Sequence, residues 1–169
     1  MIITPPKYLY KYDKPLIFLA GPIQGAPKWH QKAMEYISKR EPDIYIASPR
    51  RPIESHSKDF PKAMYEEQVD WETFHLRKAG NNGVVMFWLA KEEEHLCERA
   101  YAQTTRFELA EWKMMHQAHK SKLVIGIEEG FTNARYIRRR FSQDCPNVPI
   151  YSTLEETCAK AVEIIKKRN

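Results

Sequence analysis

The sequence predicts an α/β fold, a doubly wound sheet of five parallel strands, and three observations predict it. Gly83-Val-Val-Met-Phe-Trp-Leu89 is apolar without a break, as a strand buried on both faces must be, and such strands belong to parallel sheets. From Leu16 onward, short apolar strands alternate with stretches of helical spacing. There is no internal repeat, and five such units are too few for a barrel, which needs about eight.

Each element has its own signal. Residues 1–15 hold three prolines and scattered tyrosines without a sustained period, which reads as an irregular N-terminal arm. The first strand, Leu16 to Ala20, breaks at Gly21-Pro22. A helix is expected from about Pro27 to Lys39, with Pro27 at its first position and Trp29, Ala33 and Ile37 as its apolar stripe. A short strand, Ile44 to Ala47, stops at Ser48-Pro49 because proline cannot donate to a ladder. The stretch from Arg50 to Lys62 reads as a long loop, a candidate cover for a site. The next helix, about Pro61 to Ala79, carries Tyr65, Val69, Leu76 and Ala79 at near-helical spacing and ends at Gly80-Asn-Asn-Gly83. After the central strand come a charged connection, a helix from about Thr105 to His119 and a fourth strand, Leu123 to Ile127. A short helix over Asn133 to Phe141, a strand over Val148 to Tyr151 and a last helix complete the pattern. Ser152-Thr-Leu-Glu155 has the spacing of a capping box for that last helix. With right-handed crossovers the expected strand order is 2-1-3-4-5, the flavodoxin-like arrangement. Residues 16–169 then form a single α/β domain, the catalytic one if the chain is an enzyme.

At 169 residues the chain is long enough for one core without disulfide or metal support. Cys97, Cys145 and Cys158 are odd in number and form no Cys-x-x-Cys pair, so a reduced, cytoplasmic protein is expected. No charged region followed by an apolar one opens the sequence, and no apolar run approaches the ~20 residues that span a bilayer. A membrane is therefore not an expected partner. The formal charge of +5 favours anionic ligands, with Arg135, Arg138, Arg139, Arg140 and Lys166-Lys-Arg168 as the densest basic segments. Such runs are more often solvated faces than phosphate patches, and nucleic acid is not the expected partner.

Ligands of open α/β sheets bind at the carboxyl ends of the strands, and two acidic segments flank the central strand. Glu67-Gln-Val-Asp70-Trp71-Glu72 precedes it, and Thr104-Thr-Arg-Phe-Glu108 follows it. Paired carboxylates beside a pocket suit glycosyl chemistry. Glu108 has a structural reading too, because Thr105-Arg-Phe-Glu108 has capping-box spacing. The same position suits a nucleophile, since the positive end of a helix favours an ionised carboxylate by about 0.3–1 kcal/mol. His116-x-x-His119 has no third ligand nearby, so no metal is expected. Phe87, Trp88 and Trp112 read as core, whereas Trp71, beside Asp70, is a candidate for stacking on a base.

Together, in order and spacing, Phe18-Leu-Ala-Gly-Pro-Ile23, Ser48-Pro-Arg-Arg51, Glu67-Gln-Val-Asp-Trp71 and Glu108-Leu109 resemble the nucleoside 2-deoxyribosyltransferases, especially their shorter "like" relatives. The resemblance spans roughly Leu16 to Leu154. It implies transfer of a 2-deoxyribosyl group between nucleobases without a cofactor, through an ester on Glu108. It also implies that Asp70 serves the leaving base and that the first loop, Gly21, Pro22 and Ile23, cradles substrate; Trp71, beside Asp70, and Thr104, near the 5′ end, are further substrate-binding candidates. Asn133 would be donated into a neighbour's pocket, making the protein a homo-oligomer with shared sites. The partners implied are a small-molecule nucleoside or nucleotide and a free nucleobase.

Two positions depart from the family pattern. The aspartate that holds the deoxyribose 5′-hydroxyl is replaced by Ala102, and the glycine after Glu-Leu by Ala110. With Arg99, Thr104, Thr105 and Arg106 nearby, either a 5′-hydroxyl or a 5′-phosphate fits the sequence. An N-glycosidic hydrolase of nucleosides or nucleoside 5′-monophosphates, and a non-catalytic nucleotide-binding module, are the rival readings.

Overall fold

The structure is a computed structural model that describes residues 1–51 and 62–167. The expected cover over residues 52–61 lies outside the described residues. In chain order the elements are β1 (Ile2–Ile3), β2 (Leu16–Ala20), α1 (Trp29–Arg40), β3 (Tyr45–Ala47), α2 (Lys62–Asn82) and β4 (Gly83–Leu89). Then follow α3 (Gln103–His119), β5 (Leu123–Ile127), α4 (Ala134–Asp144), β6 (Ile150–Tyr151) and α5 (Leu154–Lys166).

All strands are parallel, in the order β1-β3-β2-β4-β5-β6. From β2 to β6 this is the expected 2-1-3-4-5 arrangement. The addition is β1: Ile2 and Ile3 pair with Ile46 and Ala47, and the ladder continues as Ser48 N–H donates to Ile3 O at 2.9 Å. Two apolar residues suffice to seat an edge strand, and so short a strand gives no periodic signal in a proline-rich arm.

Strands β2, β4 and β5 are buried along their whole length, and their side chains alternate between two layers. Phe18, Phe87 and Ile125 face Trp71 and Ala79 of α2, Leu109 and Trp112 of α3, and Phe141 of α4. Ile17, Met86 and Val124 face the other way, onto Trp29, Ala33 and Ile37 of α1 and Ala161 and Ile165 of α5. The stripe expected for α1 is therefore its buried face. Its start lies later than expected, at Trp29, with Pro27 in the preceding turn and its carbonyl accepting from Trp29 N–H.

Helix boundaries shift elsewhere for local reasons. Helix α2 runs through Gly80 to Asn82 and passes straight into β4. Helix α5 is capped by Thr153, not Ser152: Glu156 N–H donates to Thr153 Oγ1 at 3.3 Å and the hydroxyl donates to Glu156 Oε2 at 2.7 Å. Helix α3 begins at Gln103, preceded by Ala102 in the left-handed region at φ 56°, with no side-chain cap. Phe107 and Met114 are 75% and 58% exposed on its outer face. Part of the basic cluster is spent on local pairs, with Arg140 3.0 Å from Asp144 and Lys166 3.0 Å from Glu41. No helix among the described residues is long and apolar enough to cross a membrane.

Candidate active site

Because every strand points the same way, the loops after Ala20, Ala47 and Leu89 gather at one edge. They and two helices line an open cavity of about 850 Å³. That is within the range of ligand pockets, roughly 300–1,000 Å³, and leaves room for a nucleoside.

The first wall is the loop after β2, with Gly21, Pro22, Ile23 and Gln24. A Cβ on Gly21 would lie 2.3 Å from Trp88 O and 2.7 Å from the Trp29 ring, so the backbone passes where only glycine fits. The constraint there is protein packing. Gly25, at φ 72°, accepts at its carbonyl from Glu93 N–H at 2.8 Å and Glu94 N–H at 3.1 Å. This ties the first loop to the connection after β4, which supplies His95, Leu96 and Arg99 to the cavity. Tyr101 braces that connection by donating to Ala90 O at 2.7 Å.

The second wall is α2, which presents Tyr65, Gln68, Val69 and Glu72. These positions follow the i, i+3, i+4, i+7 rule of a single helix face. Gln68 is locked: Nε2 donates to Glu72 Oε1 at 2.7 Å and to Pro49 O at 2.8 Å, while Oε1 accepts from Arg51 Nε at 3.0 Å. Arg51 also pairs with Glu67.

The third wall is the start of α3, with Ala102, Gln103, Thr104, Thr105 and Glu108. Since α3 starts at Gln103, Glu108 falls in its second turn, and Thr105 is a buried residue inside the helix. The expected capping box is not formed. The expected help from the helix end is weak for the same reason, because the dipole effect fades beyond the first turn. Instead, burial pushes the Glu108 carboxyl well above the usual carboxylate range, and the charges of Glu72 and Glu111 add to this. Burial raises Glu72 as well, opposed by the hydrogen bond from Gln68 and the charge of Arg51. The two carboxyls therefore resist ionising together.

Of the residues singled out from sequence, Gly21, Pro22, Ile23, Thr104 and Glu108 line this one cavity. Three others lie elsewhere. Asp70 is exposed, outside the cavity lining, and its charge acts on Tyr8. Trp71 is fully buried: its indole N–H donates to Lys7 O at 2.6 Å, and its ring packs on Phe18 and His75. Stacking on a base is closed to it in this conformation. Asn133 is exposed at the start of α4, with φ 58° and no capping hydrogen bond from its side chain. Arg106, weighed as an anion ligand, is occupied by Thr132, donating to its O at 2.9 Å and its Oγ1 at 2.7 Å, and lies 4.6 Å over the Phe131 ring. Sequence reasoning missed Glu72 and Gln68. The helical phase shared with Tyr65 and Val69 was the signal that could have found them.

The chain is an open parallel α/β protein with a carboxylate-bearing cavity at the carboxyl edge of its sheet, the edge at which such sheets bind ligands. Residues 14–131, well over half of the chain, match the family described as nucleoside 2-deoxyribosyltransferase like, and the chain belongs to that family. The match ends before Asn133. No curated protein matches the chain.

Proposed function

We propose that the protein transfers a 2-deoxyribosyl group between nucleobases through a covalent ester on Glu108. The observation that carries this reading is the placement of Glu108, half-buried in a nucleoside-sized cavity beside a second carboxylate, in a chain of this family. A carboxylate oxygen of Glu108 attacks C1′ through an oxocarbenium-like state, and the first base departs. A second base then displaces Glu108 from the same carbon, and two displacements retain the configuration. A desolvated carboxylate that resists ionising is, once ionised, a stronger nucleophile than one in water.

The reading extends to a homo-oligomer with Asn133 reaching a neighbouring site. The exposed Phe107 and Met114 on α3 support a surface that a second copy could cover. At the 5′ end, Ala102 is buried and carries no carboxylate to repel a phosphate, while Arg99 lines the cavity, so both nucleosides and 5′-monophosphates are candidate substrates.

The test is to incubate the protein with a deoxynucleoside and a different free base, following new nucleoside and free sugar by chromatography. Base exchange is the expected result. Free sugar alone would mean hydrolysis, and neither product would mean a binding module.

A further inference from the structure

We propose that Glu72, not Asp70, hands a proton to the departing nucleobase and takes one back from the incoming base. The proposal rests on the reading of Glu108 as nucleophile and adds the second reacting group. Its first support is helical phase. Tyr65, Gln68, Val69 and Glu72 share the face of α2 that lines the cavity, whereas Asp70 is turned from Glu72 by ~200° at 3.6 residues per turn. Asp70 stands exposed on that other face.

The second support is how Glu72 is held. Gln68 Nε2 places one hydrogen on Glu72 Oε1 and the other on Pro49 O, and Arg51 fixes the amide orientation by donating to Gln68 Oε1. A carboxylate fixed this way is positioned for proton transfer, and only its Oε1 has a described hydrogen bond. The third support is its neighbour. Glu72 and Glu108 line the same cavity and repel each other when both are charged, so the pair is most stable holding one proton between them.

The chemistry balances without any further reactant. A Glu108 oxygen forms the bond to C1′, the C1′–N bond breaks, its electron pair goes to the base nitrogen, and that nitrogen takes the Glu72 proton. In the second half a ring nitrogen of the acceptor base bonds to C1′. The ester bond breaks, its electrons return to Glu108, and the acceptor N–H proton goes to Glu72. The pair ends as it began.

The experiment compares two donors with one acceptor base: a purine deoxynucleoside, and the same nucleoside methylated at N7, whose base leaves neutral without a proton. Glu72→Gln should lower kcat/KM by about 10²–10⁴ on the first donor and by less than about tenfold on the second. Asp70→Asn should leave both near wild type, and Glu108→Gln should abolish both. Equal loss on both donors for Glu72→Gln, no loss on either, or donor-dependent loss for Asp70→Asn would overturn the proposal. Wild-type protein that cleaves neither donor would overturn it together with the transferase reading. Donor-selective loss in Glu72→Gln with an active Glu108→Gln protein would remove Glu108 alone and leave Glu72 standing. Glutamine at 72 retains an oxygen for Gln68, and thermal melting checks the fold. The wild-type pH profile gives a second answer: an alkaline fall in kcat/KM for the unmethylated donor, absent for the methylated one, is expected, and identical profiles would contradict the role.

Discussion

The indole N–H of Trp29 donates to the carbonyl of Pro22 at 2.9 Å, so a core residue of α1 fixes the first cavity loop. The same ring lies where a Cβ of Gly21 would fall. Packing of the α1 layer and the shape of the cavity are therefore one constraint.

Gly21→Ala should destabilise the protein by about 2–4 kcal/mol, because the added methyl meets backbone at Trp88 O and cannot be relieved by a side-chain movement. Gly130→Ala is the control. Its φ is also positive, at 90°, but the nearest atom to an added Cβ is 3.8 Å away, so only the backbone term of about 1–2 kcal/mol remains. Urea unfolding of both variants checks the order, and equal losses would contradict it.

Trp71→Phe should cost about 1–3 kcal/mol, from lost packing and from Lys7 O left without its donor. Turnover per folded molecule should stay unchanged, because Trp71 does not line the cavity. A rise in KM for one base over another, at unchanged stability, would instead restore the stacking role.

Stability should respond to pH through Glu72 and Glu108. Both carboxyls are raised by folding above the ordinary 4.5, so their contribution is complete below pH 4.5 and is lost as pH rises through the folded values. Glu72→Gln removes one of these ionisations and its repulsion on the other. Thermal melting from pH 4 upward should show wild type losing stability relative to the variant, and parallel curves would contradict the coupling.

If Asn133 reaches a neighbouring site, Glu108→Gln and Asn133→Ala proteins, each inactive alone, should regain part of the activity when refolded together. Confirmed mixed oligomers without rescue would mean self-contained sites.

Most of the fold was legible because its strands are apolar throughout and alternate with stretches of helical spacing, although the helix ends were not: α1, α3 and α4 start without a side-chain cap. Edge strand β1 was not, since two isoleucines carry no period. Among the cavity-lining residues, Gly21, Pro22, Ile23 and Glu108 were legible from motif order alone. Glu72 was not, because the motif drew attention to Asp70, and a shift of two residues reverses the face of a helix. The start of α3 was misplaced because Thr105 looks like a cap, while the chain enters the helix earlier, through Ala102 in a left-handed turn.

The most direct measurement is to mix the protein with a deoxynucleoside and no acceptor base, quench in acid, digest, and weigh the peptides by mass spectrometry. The expected result is one 2-deoxyribosyl group on the peptide containing Glu108, absent in Glu108→Gln and discharged as a new nucleoside when a second base is added. Release of the first base with no adduct on Glu108, at a rate that Glu108→Gln does not change, would contradict the assignment.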